Sequence, residues 1–81
     1  MGASDREPRF LTLADVAEIL ATSTAQVYAL VRRGDLRALK IGGRGQWRVE
    51  SVELEAFIQR MYDQTEAETA RARESEAAGL D

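Results

Sequence analysis

Two helix-start signals stand eleven residues apart near the front of this chain, and the apolar residues behind each are too few for a long helix. Thr12 is followed three residues on by Asp15, and Ser23 three residues on by Gln26. Each pair is a hydroxyl N-cap with a side chain spaced to bond back to the cap, the first with Asp where Glu is usual. Behind Thr12, Leu13, Val16, Ala17 and Leu20 recur at helical spacing, with Ile19 beside them. Behind Ser23 the inner stripe is Val27, Leu30 and Val31, which leaves Thr24, Ala25, Tyr28, Ala29 and Arg32 facing out. Gly34 stands where a left-handed residue closes the second helix, and Arg32 and Arg33 in its last turn suit the helix dipole. The pattern predicts helices over residues 13–21 and 23–33 joined by a tight break at Thr22-Ser23, which is a helix-turn-helix.

After Asp35-Leu36-Arg37 the period changes from helical to alternating. Ala38-Leu39-Lys40-Ile41 and Gln46-Trp47-Arg48-Val49 have β character, and Gly42-Gly43-Arg44-Gly45 between them reads as a hairpin turn with positive φ angles. Alternation puts Leu39, Ile41, Trp47 and Val49 on one expected face and Lys40, Gln46 and Arg48 on the other. Trp47 reads as the hairpin's hydrophobic anchor. Ser51 caps a third expected helix with Glu53 and Glu55 in its first turn and Val52, Leu54, Phe57, Ile58 and Met61 as its apolar positions, ending near Tyr62. The predicted fold is mostly α with a small β-hairpin, in the order α-α-β-β-α: a winged helix-turn-helix. Residues 1–9 read as a flexible leader, 10–62 as the domain, and 63–81 as an acidic, Ala- and Glu-rich tail, a frayed helix or disordered, with almost no apolar stripe to hold it.

Composition removes most chemistry. The chain has 81 residues, no Cys and no His, so thiolate nucleophiles, disulfides, cysteine-based metal sites and the commonest general base are all missing. A single domain of this size leaves no room for a deep catalytic cleft. An enzyme is therefore not expected, nor a metal or other cofactor. No apolar run approaches a membrane span and no signal-peptide pattern begins the chain, so it reads as cytoplasmic and, if it binds DNA, as nucleoid-associated.

The net charge of −3 conceals a segregation. Residues 32–48 hold Arg32, Arg33, Arg37, Lys40, Arg44 and Arg48 against Asp35 alone, a net +5, while residues 63–81 carry a net −4. A basic block inside an acidic chain is an electrostatic footprint for nucleic acid. The second helix begins with small polar residues, Ser23, Thr24, Ala25 and Gln26, that a major groove admits, and its N-terminal N–H groups favour phosphate. Thr24 and Gln26 reach base edges in that arrangement, with Tyr28 and Arg32 extending the same face. Arg44 at a wing tip suits a phosphate or the minor groove, and Lys40, Gln46 and Arg48 line the expected polar face of the hairpin.

At this point the residues resemble a known family. Leu11-Thr12, Ala17, Leu20, Ser23, Val27-Tyr28, Val31, Gly34, Leu36, Ala38, Lys40-Ile41-Gly42, Trp47-Arg48 and Leu54-Glu55-Ala56-Phe57 match the pattern of the excisionase-type, MerR-like helix-turn-helix domains over about residues 10–62. Asp15 replaces the usual first-helix Glu, Thr22 stands where Val is usual, and Ala25, Ala29 and Leu30 occupy positions where polar or aromatic residues are frequent. The resemblance implies binding to double-stranded DNA, by a small transcriptional regulator or by an excisionase that bends DNA for site-specific recombination. The candidate DNA-binding residues are Ser23, Thr24, Gln26, Tyr28, Arg32, Arg33, Lys40, Arg44, Gln46 and Arg48. Self-association on adjacent DNA repeats is expected, because one domain makes few contacts. No small-molecule effector is expected, since no effector domain follows. A reading from another class is a protein-interaction module that kept the fold, with the acidic tail competing for the basic face.

Overall fold

The computed structural model describes residues 9–79, with side-chain surroundings from Arg9 to Glu76. The elements follow in the order β1 (Phe10–Leu11), α1 (Leu13–Ile19), α2 (Thr24–Arg33), β2 (Leu39–Ile41), β3 (Gln46–Glu50) and α3 (Ser51–Gly79). This is a mostly helical winged helix-turn-helix, with the wing enlarged into a three-stranded antiparallel sheet of order β1-β3-β2. The expected leader lies outside the described residues except for Arg9, and Arg9 is tied down. Its carbonyl accepts the Ser51 N–H at 2.7 Å and its guanidinium pairs with Glu50 at 2.8 Å. Two residues are too short for an alternating pattern to be read, so β1 leaves no signal in the sequence.

The caps form as their spacing requires. Thr12 Oγ accepts from the Asp15 N–H at 2.9 Å, and the Asp15 carboxylate accepts from the Thr12 N–H at 3.0 Å. α1 then ends in Leu20, with Ala21 at φ 55° and bonds from Ala21 N to Glu18 O and from Thr22 N to Ala17 O. That pair of reverse bonds is a Schellman closure built on Ala in the left-handed region rather than on Gly. α2 ends at Gly34, φ 84°, as expected.

The core takes residues from every element except β2. Leu11, Val16, Ala17, Val27, Val31, Leu36, Val49, Leu54 and Phe57 are buried, and Trp47 packs against them half-buried as the expected anchor. Leu36 is 1% exposed although no periodicity marks it, because the chain leaving Gly34 crosses directly over the core. Burial of each such side chain contributes about 1.5–3 kcal/mol. Val52 was expected among the core positions of α3 and is instead 63% exposed. It falls on the far side of the first turn from Leu54 and Phe57.

In α3 the tail takes the helical one of the two states expected for it. The end expected near Tyr62 is not an end: the helix runs unbroken to Gly79, 29 residues and about 43 Å. Leu54, Phe57, Ile58 and Met61 hold its first half, whereas every residue from Tyr62 to Glu76 is exposed. Ala67, Ala70 and Ala72 with Glu and Arg between them propagate a helix well once the docked half has nucleated it. The stripe that would continue the core face, Thr65, Glu68, Ala72 and Ser75, is polar or small, so it offers no apolar seam to a second helix. The competition of the tail with the basic face requires a break in α3 beyond Met61, and the helix has none.

Candidate nucleic-acid interface

α2 presents its outer side without cover. Thr24, Ala25, Gln26, Tyr28, Arg32 and Arg33 are exposed, while Val27 and Val31 are buried behind them. At 100° per residue, Ala25 and Ala29 run along the outer side. Thr24, Tyr28 and Arg32 form a ridge on one flank, and Gln26 and Arg33 a ridge on the other. Ser23 is held as the cap, its Oγ accepting the Gln26 N–H at 3.0 Å. The reciprocal bond, from the Ser23 N–H to the Gln26 side-chain oxygen, is not made, so the expected box is half closed. Among the described residues the Gln26 amide has no hydrogen-bond partner.

The cations of α2 are organised differently from each other. Arg32 donates from Nη1 to Tyr28 Oη at 3.2 Å and lies over the Tyr28 ring, 5.7 Å from its centroid. Arg33 is bound to Asp35 by two contacts, Nη2 at 2.9 Å and Nε at 3.0 Å. Arg37 pairs with Glu53 at 3.1 Å. Exposed pairs of this kind are worth about 0–1 kcal/mol, so they steer a side chain without locking it.

The wing corrects the sequence reading. The register pairs Leu39 with Arg48, Lys40 with Trp47 and Ile41 with Gln46. Directly opposed residues share a face, so Leu39 and Ile41 lie with Arg48 and Gln46, and Lys40 lies with Trp47. The single polar face of Lys40, Gln46 and Arg48 therefore does not exist, nor does the apolar face of Leu39, Ile41, Trp47 and Val49. The reason is the loop. Each strand alternates as expected, but four loop residues put the two alternations out of phase. Leu39 and Ile41 are consequently 42% and 46% exposed. The Lys40 ammonium sits 5.0 Å from the centroid of the Trp47 ring instead. Arg48 is half-buried, donating to the Trp47 carbonyl at 2.8 Å and to Gln46 Oε1 at 3.4 Å.

The wing tip is closed by a bond from Gly45 N to Gly42 O at 3.2 Å, with Gly42 at φ 78° and Gly45 at φ 66°. A side chain at either position is strained, which confines the tip to these glycines. Arg44 is exposed there, with no ion-pair partner among the described residues.

A family model described as "Helix-turn-helix domain" matches residues 10–62, about two thirds of the chain. The chain belongs to the helix-turn-helix domain family. It is a DNA-binding helix-turn-helix protein, as the sequence resemblance implied. No curated protein and no solved structure matches it. The matched span of this helix-turn-helix protein starts at β1 and closes at Tyr62, where the exposed half of α3 begins. No helix among the described residues is long and apolar enough to cross a membrane.

The structure brings Ser23, Thr24, Gln26, Tyr28, Arg32 and Arg33 onto one helix, and Gln46 and Arg48 onto one wing face. It separates Lys40 from that pair and puts Arg44 at the tip. Two small residues that the helical spacing had already placed on the outward side lie between them. Ala25 and Ala29 form the low centre of the outward face of α2, and only their helical position marks them. Arg60, which no pattern in the sequence marked, donates to the Asp35 carbonyl at 3.0 Å and ties α3 to the chain leaving α2.

Proposed function

We propose that this helix-turn-helix protein is a small sequence-specific transcriptional regulator that lays α2 in the major groove and sets the Arg44 wing against the backbone or minor groove. The observation that carries this reading is the uncovered outer side of α2, capped by Ser23 and flanked by two polar ridges, on a chain whose basic residues cluster at the end of that helix and in the following wing. Thr24 and Gln26 contact base edges, and Ser23 holds the N-terminus that meets a phosphate. Tyr28, Arg32, Arg33, Arg44 and Arg48 contact the backbone, with Gln46 beside Arg48. Lys40 contributes from the opposite face of the wing. Several copies occupy adjacent repeats, since one domain contacts too little DNA for tight binding. The protein works at the nucleoid without effector, metal or chemistry.

The test is selection of bound fragments from the source genome, then mobility shifts on the best site across a salt series. Discrete promoter sites with repeated half-sites and a stepwise ladder are expected, and sites at a recombination junction would make the protein an excisionase instead. Arg44→Ala is expected to weaken binding on every sequence alike and to reduce the salt slope by about one unit. Arg37→Ala is expected to reduce it less, because Glu53 already holds that guanidinium. If neither Arg44→Ala nor Arg48→Ala changes binding, the wing does not touch DNA and a protein partner becomes the better reading. Removal of residues 63–81 is expected to leave affinity unchanged, and a gain in affinity would restore tail competition.

A further inference from the structure

We infer that the base pairs read by α2 are A·T pairs, recognised through adenine edges and thymine methyl groups, and that the first two turns of α2 carry none of the Arg, Lys or carboxylate readers of G·C. This deepens the proposed function and rests on α2 lying in the major groove. The first two turns of α2 are where a recognition helix meets base edges. What they expose is Thr24, Ala25, Gln26 and Tyr28, with Ala29 half-buried a turn after Ala25 and the Tyr28 hydroxyl already bonded to Arg32. Guanine is recognised in the major groove mainly by Arg or Lys bonded to O6 and N7, and cytosine by a carboxylate accepting from N4. Neither type is present there: the first turn has no acidic residue, and the basic residues of α2 are confined to its last turn.

The side chains that are present match the other pair. A Gln amide bonds adenine N6 and N7 together, and Ala and the Thr methyl pack against the C5 methyl of thymine. The half-open cap matters here. Gln26 gives its backbone N–H to Ser23 Oγ at 3.0 Å and keeps its side-chain amide, so its backbone is anchored and its reading group is unspent. Ala25 and Ala29 add no bulk between the two ridges, which lets the helix seat deeply enough for methyl contact. Arg32 lies about 12 Å along the axis from Thr24, drawn onto the Tyr28 ring, and Arg33 is drawn to Asp35. Both stand where the helix leaves the groove, at the height of the phosphates.

The full chain would be used to select binding sites from a duplex library randomised over two helical turns, and the best site would then be remade with single thymines replaced by uracil. Uracil keeps the pairing and lacks the methyl. The expected motif has a run of A·T pairs at its invariant core, and the expected loss is about fourfold for each contacted methyl group. Gln26→Ala is expected to abolish the preference at one adenine and leave the others. An invariant G·C pair whose importance disappears in Arg32→Ala would overturn the inference and leave sequence-specific binding intact, as would uracil substitution without effect. A selection that returns no motif would overturn the sequence-specific reading itself.

Discussion

α1 and α2 are built on one plan and finished differently. Each opens on a hydroxyl cap with a polar side chain three residues later, and each closes on a residue in the left-handed region. In α1 the opening box is closed both ways and the closing residue is Ala21. In α2 the box is closed one way and the closing residue is Gly34. The helix that supports has all its local hydrogen bonds made and accepts an awkward exit. The helix that faces outward keeps one polar group in reserve and has an easy exit. On the proposed reading, function and local stability are divided between two segments of similar sequence pattern.

The sharpest test of this parallel is in the core. Val16 and Val27 are both fully buried, one on each helix. Val16→Ala and Val27→Ala are each expected to cost about 2 kcal/mol in urea unfolding, from two lost methyl groups and the space left behind. A large difference between them would mean that the two helices do not share one core. The next test separates the caps. Gln26→Ala is expected to weaken binding to the selected site by about 1–3 kcal/mol and to leave unfolding within about 0.5 kcal/mol of wild type. Asp15→Ala reverses the pattern, with about 1 kcal/mol lost in unfolding and DNA affinity of the folded protein unchanged. Equal stability losses in the two variants would show that Gln26 caps as Asp15 does. The smallest effect is at the exits. Ala21→Gly is expected to stabilise by about 0.5–1 kcal/mol, as relief of the left-handed strain outweighs the added freedom of the unfolded chain. A thermal melt shifted downward would show that the Ala21 backbone is unstrained.

Much of this was legible in the residues because it is local. Thr12, Ser23 and Gly34 announce helix ends through bonds to neighbours three or four residues away, and Val16, Val27 and Val31 announce a core through spacing. The turn at Gly42–Gly45 was equally visible. What the strands on either side of it share was not, because the phase between two alternating patterns depends on the number of residues in the loop. The same four-residue tip that was easily recognised turned Lys40 away from Arg48. β1 escaped notice for a different reason: its order comes from Glu50 and Ser51, about forty residues distant. For the interface, the exposed residues of α2 followed from periodicity. The pairing of Arg32 with Tyr28, of Arg33 with Asp35 and of Arg37 with Glu53 depends on side-chain reach, which a count of charges cannot reveal.

α3 is one helix by hydrogen bonding, yet it should keep two times. Amides around Leu54 and Phe57 are locked to the core and exchange with solvent only when the whole domain opens. Those beyond Tyr62 need only the outer turns to fray, since nothing but the helix itself protects them. Deuterium uptake along a single uninterrupted helix would then change from slow to fast within a turn or two of Met61. That boundary would record where folding energy stops being shared, although the backbone geometry carries on without a mark.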